Sequence, residues 1–147
     1  MDVTDRLTIT AGVRTTDDEL GMSIVYPLLG PASLSSDSVD YSETTYRFVV
    51  DYDLSDSSMI YASFTPGIKP GGFDSAGYAS APPRPPEEID AIAFGGKFSW
   101  GSTSIEFAYF DYEWENLQVA IISTTAGGLS QESAAAAESQ GFEFSAN

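Results

Sequence analysis

The 147-residue sequence contains no cysteine and no histidine. Without cysteine there is no disulfide framework and no thiolate metal site. Without histidine the commonest general base and the commonest transition-metal ligand are both missing. Basic residues are scarce as well: six Lys and Arg stand against 22 Asp and Glu, a net charge of −16. That balance excludes nucleic-acid binding, because nothing neutralises a phosphate backbone. No run approaches the roughly 18 apolar residues of a spanning helix. The start, "MDVTDRLTIT", has neither a basic stretch nor an apolar core of the signal-peptide kind. Two readings stay open: a cytoplasmic protein, or an internal piece of a longer exported chain.

What is abundant is apolar and aromatic. Hydrophobic residues make up 42% of the chain and aromatics 13%, a bias that favours strands. Six segments alternate with the two-residue period of a strand. They cover about residues 5–15, 44–53, 58–66, 88–100, 103–119 and 134–146. Leu7, Ile9, Ala11 and Val13 share one face of the first, and Tyr46, Phe48, Val50 and Tyr52 one face of the second. Ile60, Ala62 and Phe64 do so in the third, and Ile92, Phe94, Phe98 and Trp100 in the fourth. In the fifth, Ile105, Phe107 and Tyr109 hold one parity and Phe110, Tyr112 and Trp114 the other. Either a bulge near Tyr109 or emergence from an apolar slab into a wet rim explains that change. Phe142 and Phe144 mark the sixth. The best helical candidate, "SQESAAAAES" at 130–139, has high propensity but no apolar stripe to dock.

Connections separate the candidate folds better than the strands do. "LSDSS" and "GST" are tight turns, whereas residues 16–43, 67–87 and 120–133 read as long loops. Compact soluble domains rarely carry structureless loops of about 20 residues. A transmembrane β-barrel has this asymmetry, with short periplasmic turns and long extracellular loops. Its strands need about 9–11 residues to cross. Alternation itself is neutral, since a soluble sandwich points its apolar face inward and a barrel points it at lipid. Charges at the polar positions, Arg14, Arg47, Asp51, Lys97 and Glu143, suit a wet lumen and a soluble surface alike. Tyr52, Trp100, Tyr112 and Trp114 lie near strand ends, in the manner of an interfacial girdle.

"DRLTITAGVRTTDDE", then "VDYDLSDSSMIYASFTPGIKPGGFD", "PPEEIDAIAFGGKFSWGSTSIEFAYFDYEWENLQV" and "ESQGFEFSAN", resemble in order and spacing the barrel of TonB-dependent outer-membrane receptors. The resemblance runs from about Asp5 to Asn147. Two positions depart from the family pattern, with Pro66 in place of the usual Arg and Asp74 in place of the usual Asn. The resemblance implies an all-β antiparallel meander of about six long strands from a barrel that closes with 22 strands around a plug. Six strands cannot close, and unpaired edges in lipid are costly, so the chain is expected to be a partial barrel domain without plug, TonB box or signal sequence.

On that reading Leu7, Ile9, Phe48, Val50, Ile60, Phe64, Phe94, Phe98, Phe107 and Phe144 face lipid, and Arg14, Arg47, Asp51, Lys97 and Glu143 face the lumen. Pro66 to Gly72 begin an extracellular loop, where proline cannot serve a ladder and glycine permits close backbone approach. Lys69, Phe73, Asp74, Tyr78 and Arg84 are the loop candidates for ligand contact. The implied role is energised uptake of an iron–siderophore-like chelate in the outer membrane of a Gram-negative bacterium. Implied partners are membrane lipid, the remaining barrel, the plug and, through it, the TonB complex. No cofactor, metal site or enzyme activity is expected. "TTDDE" at 15–19 reads as a solvated loop, "DYDLSDSS" lacks EF-hand spacing, and Glu113 with Glu115 reads as a rim rather than a glycosidase pair. The rival classes are a soluble all-β carbohydrate-binding module, which would dissolve without detergent, and a passive porin-like protein, which would have no plug.

Overall fold

A computed structural model of the chain describes residues 2–26, 33–73, 83–123, 128–133 and 136–147. Among these residues ten strands follow one another: β1 Asp2–Thr4, β2 Leu7–Tyr26, β3 Ser33–Ser55, β4 Ser58–Phe64, β5 Gly67–Lys69, β6 Glu87–Trp100, β7 Thr103–Glu115, β8 Gln118–Ser123, β9 Gly128–Ser133 and β10 Ala136–Ala146. They build one open antiparallel sheet in the order β1-β2-β3-β4-β6-β7-β10, with β5 beside β6 and a separate β8–β9 hairpin. No helix occurs among the described residues; of the stretch 130–139, residues 130–133 lie in β9 and 136–139 in β10.

Three tight turns gather at one end of the sheet, which we call the base. Thr4 pairs with Leu7, Ser55 with Ser58 and Trp100 with Thr103. Gly101 opens the last turn at φ +62, the left-handed conformation that a two-residue hairpin loop requires and glycine supplies. The opposite end, the mouth, receives every long connection.

Strand lengths depart from expectation there. Residues 16–43 are mostly strand: β2 and β3 stay paired without a break from Leu7↔Tyr52 to Tyr26↔Ser33. The sequence hid this, because Thr, Ser, Asp and Glu fill one face and the other carries only scattered apolar residues such as Leu20, Val39 and Tyr41. The segment 103–119 is not one strand but two. Asn116 adopts φ 53 between β7 and β8, a left-handed state that asparagine tolerates, and the chain leaves the main sheet.

Register assigns the faces. Ile9↔Val50, Val50↔Ala62, Ala62↔Phe94, Phe94↔Tyr109 and Tyr109↔Phe142 place one apolar row across six strands. Next to it runs Leu7, Tyr52, Ile60, Gly96, Phe107 and Phe144. This face is open: Phe48 is 48% exposed, Phe94 49% and Phe144 74%, and no hydrophobic residue among those described is buried. The other face is the sheltered one. Along β4 and β6, Tyr61, Ser63, Ile89, Ala91 and Ala93 are half-buried and alternate with exposed Ile60, Ala62, Phe64, Ile92 and Phe94. A soluble sandwich would show the reverse.

Toward the mouth the two faces exchange character. On the open face Val13 gives way to Asp17 and Glu19, Ile92 to Asp90 and Glu88, and Tyr109 to Asp111, Glu113 and Glu115. On the sheltered face the same strands now present Leu20, Val39, Tyr41, Ile89, Phe110, Tyr112 and Trp114, all half-buried. No bulge intervenes, since β6 and β7 keep register from Glu88↔Glu115 to Trp100↔Thr103. The parity change at Tyr109 is therefore emergence from an apolar belt. It also removes Tyr112 and Trp114 from any outer girdle, because they share the sheltered face.

Candidate functional site at the mouth

The mouth is organised by a short strap. β4 stops at Phe64, after which Thr65 donates its N–H to Ala91 O at 2.9 Å. Pro66 has no N–H to offer β3, and β5 pairs with β6 alone. The chain then crosses the sheltered face. Gly72 and Arg84 exchange backbone bonds, Gly72 N to Arg84 O at 3.2 Å and Arg84 N to Gly72 O at 2.8 Å.

Two neighbouring hairpins hold this strap. Tyr41 on β3 donates its hydroxyl to the Arg84 carbonyl at 2.6 Å. From the start of β8, Gln118 donates Nε2–H to Pro70 O at 2.9 Å and its backbone N–H to Glu87 Oε2, also at 2.9 Å. The same Glu87 oxygen accepts from Lys69 Nζ at 3.5 Å. Glu87 is well sheltered, at 14% side-chain exposure, so its carboxylate serves two partners in a partly dry setting.

Gly71 and Gly72 are buried. A methyl group on Gly71 would run into the Arg84 carbonyl and the Tyr41 ring, with the ring's Cζ only 2.6 Å away. Glycine is therefore demanded by close approach rather than by turn geometry. Under the strap a cavity of about 250 Å³ is lined by Arg14, Thr16, Asp18, Tyr41, Glu43 and Ile68. On the same face a ladder of rings climbs β7: Phe110 and Tyr112 have centroids 5.0 Å apart, and Tyr112 meets Trp114 edge-on at 5.9 Å. Such a surface offers stacking faces, one guanidinium and several carboxylates. It suits recognition of a ligand carrying flat or charged groups.

Of the loop candidates, Lys69 is 57% exposed and paired to Glu87. Phe73 is half-buried, its carbonyl accepting from Arg84 Nη2 at 3.5 Å. Arg84 anchors the strap through its backbone. Asp74 and Tyr78 lie outside the described residues. Arg14, Arg47, Asp51, Lys97 and Glu143 all fall on the sheltered face. Leu7, Ile9, Phe48, Val50, Ile60, Phe64, Phe94, Phe98, Phe107 and Phe144 all fall on the open one.

Sequence reasoning missed Tyr41, Glu87 and Gln118. Tyr41 had a signal, a lone aromatic in an acidic and Ser/Thr-rich stretch, whereas Gln118 had none. Among the described residues no group of three or more carboxylates converges as a metal site.

Against known proteins, the whole chain, residues 1–147, matches the family model "TonB dependent receptor-like, beta-barrel". No curated protein matches the sequence. Among solved structures, the ferric yersiniabactin uptake receptor FyuA from Yersinia pestis is similar over 98% of this chain, with a TM-score of 0.80 and 21% identity. The chain spans 22% of the length of that receptor.

Proposed function

Because the chain belongs to the TonB-dependent receptor-like β-barrel family, we propose that it forms wall and outward-reaching hairpins of an outer-membrane receptor for energised uptake, with an iron–siderophore-like chelate as cargo. The single observation that carries this reading is the exchange of sidedness along unbroken strands. An apolar outer face bordered by carboxylates, backed by a polar inner face that becomes aromatic at one end, fits a wall standing in lipid with its upper part in water. The base, with its tight turns, then lies in the periplasm and the mouth outside the cell.

On this reading the ten open-face residues from Leu7 to Phe144 meet acyl chains. Arg14, Arg47, Asp51, Lys97 and Glu143 keep the lumen wet. The sheet's two outer strands, β1 and β10, pair with further strands of the barrel. A plug occupies the lumen and passes the pull of the TonB complex to it. The chemistry is binding and transport rather than catalysis. Among the described residues the mouth offers stacking and charge pairing, and the family is one of receptors. FyuA is an uptake receptor for ferric yersiniabactin, which supports an iron compound of that kind as cargo.

Site-directed labelling tests the orientation. The chain has no cysteine, so each introduced thiol is unique within it, and the receptor without the substitution gives the background labelling. In the assembled receptor in whole cells, Phe94→Cys and Phe48→Cys should react only with a lipid-soluble maleimide, and Lys97→Cys and Asp51→Cys only with a water-soluble one. Equal reactivity of both sets would end the reading. Loss of radiolabelled ferric-chelate uptake on TonB depletion tests the cargo class separately.

A further inference from the structure

We propose that the edge of β3 above its last pair with β4 is a docking edge for an extended cationic peptide, which adds to the wall as a strand. The β3–β4 ladder ends at Phe48↔Phe64. β3 itself continues to Ser33, paired on its other side with β2 throughout. β4 does not follow, and the strand that succeeds it, β5, pairs only with β6. Both flanking strands belong to this chain, so the interruption of the ladder lies inside the wall.

Backbone alternation shows which groups are offered. Asp53 donates its N–H to Arg6 O, toward β2. In an antiparallel ladder successive residues point their N–H and C=O to opposite sides, and no register shift interrupts β3 between Asp53 and Ser33 on its β2 side. The even-numbered residues from Ser36 to Tyr46 therefore aim their backbone groups at the free side; the Ser38 N–H is taken by Asp37 Oδ1 at 2.9 Å, which leaves the donors of Ser36, Asp40, Ser42, Thr44 and Tyr46 for a partner. Among the described residues no strand pairs with that side. Natural edges are blunted by charged side chains, proline or a bulge; from Ser36 to Tyr46 there is no proline and no bulge, and the charges are all acidic. Beside the edge a cleft of about 200 Å³ separates Thr44–Tyr46 from Phe64–Ile68 and Glu88–Asp90.

Charge selects the occupant. Between Thr15 and Tyr46 the chain has six Asp and Glu and no Lys or Arg. Glu43 on β3 lines the cleft together with Glu88 and Asp90 of β6, and Asp37 and Asp40 stand further up β3. Partial burial, then Glu43, Glu115 and Asp90, hold the Glu88 carboxyl above its usual range. A second copy of this edge would bring acid against acid, which cross-strand pairing penalises. An extended chain alternating apolar and cationic side chains satisfies backbone and charge together. The inference goes beyond the uptake reading and uses only the placement of the mouth in water.

The test uses the assembled receptor in detergent and a ten-residue peptide of alternating Val and Lys as probe. Controls are the Val/Glu counterpart and a Gly/Ser/Lys peptide of equal charge that resists extension. Binding is read by fluorescence anisotropy, and strand addition by the infrared shift of a ¹³C-carbonyl label in the peptide. The Val/Lys peptide should bind at least about tenfold more tightly than either control. Ser42→Pro deletes a free-side donor without touching the β2 ladder and should weaken binding about tenfold, with heat-modifiable gel mobility unchanged. If that variant misfolds, the pair Glu43→Gln and Glu88→Gln keeps the edge intact and should weaken both the binding and its salt dependence. Equal binding of the two Lys peptides would reduce the effect to charge attraction and overturn the proposal. So would a receptor dimer in light scattering that Ser42→Pro abolishes, which would assign the edge to a second copy. Failure here with correct cysteine labelling sinks the docking edge and leaves the uptake reading standing.

Discussion

Tyr41 and Arg84 lie 43 residues apart in sequence, and the hydroxyl of the first meets the backbone carbonyl of the second at 2.6 Å. This bond ties the upright β2–β3 hairpin to the strap that crosses the inner face at the mouth. Because Arg84 also exchanges both backbone bonds with Gly72, the hairpin and the strap behave as one body.

Tyr41→Phe keeps the ring and deletes the bond. A net hydrogen bond is worth about 1 kcal/mol, so amide protection at Gly72 and Arg84 should fall about fivefold in hydrogen exchange. Amides of the belt rows, such as Val50 and Phe94, should keep their protection. Unchanged exchange at Gly72 would show that the strap is held from the β8 side alone.

Gly71→Ala strikes the same junction from the other direction. Its new methyl meets the Arg84 carbonyl and the Tyr41 hydroxyl, neither of which retreats without breaking their bond. The strap should detach, visible as faster protease cleavage between 67 and 87 and as weakened ligand binding. Gly21→Ala, with nothing within 4 Å of the added carbon, is the control and should behave as the native protein.

Glu87 joins two elements, accepting from Lys69 Nζ and from the backbone N–H of Gln118. The Lys69 arm is exposed and contributes little. The Gln118 arm is a charge-assisted bond on a sheltered carboxylate and carries more. Glu87→Gln should therefore loosen β8 more than β5, with Gln118 exchange rising while Ile68 stays protected. Lys69→Met should change neither.

These contacts mark the limit of what could be read from the chain alone. The belt was legible because Leu7, Ile9, Phe48, Val50, Phe94 and Phe144 repeat every second residue, and register then follows from matching apolar faces. The long β2–β3 extension was illegible because its alternation is polar on one side and sparsely apolar on the other. The break at Asn116 was hidden inside an apparently continuous strand, since asparagine permits a left-handed turn without demanding it. Contacts such as Gln118 to Pro70 join distant loops and leave no local period.

Acidity should reveal the crowded outer rim. Partial burial and the carboxylates of Glu43, Glu115 and Asp90 raise the Glu88 pKa above its ordinary 4.5. The folded state then holds a proton more readily than the unfolded chain. Glu88 thus weakens the fold above its folded-state pKa, and the penalty fades as pH falls through that value toward 4.5. Glu88→Gln should raise urea resistance at neutral pH, leave it unchanged below pH 4.5, and flatten the slope between. A variant less stable at pH 7 would contradict this sign.

The height of the apolar belt yields the most direct measurement. Phe94 sits in the row that runs from Ile9 to Phe142, and Asp90 lies four residues nearer the mouth on the same face. A cation on the lipid face costs about 2–4 kcal/mol at the bilayer midplane and about 0–1 near the interface. Phe94→Arg in the assembled barrel should therefore lose stability toward the upper figure on unfolding from lipid vesicles. Asp90→Arg should cost almost nothing, and beside Glu88 and Glu113 should even stabilise the rim. If the two substitutions cost alike, the exchange of sidedness between Ile92 and Asp90 does not mark the edge of the hydrocarbon, and the wall stands at another depth.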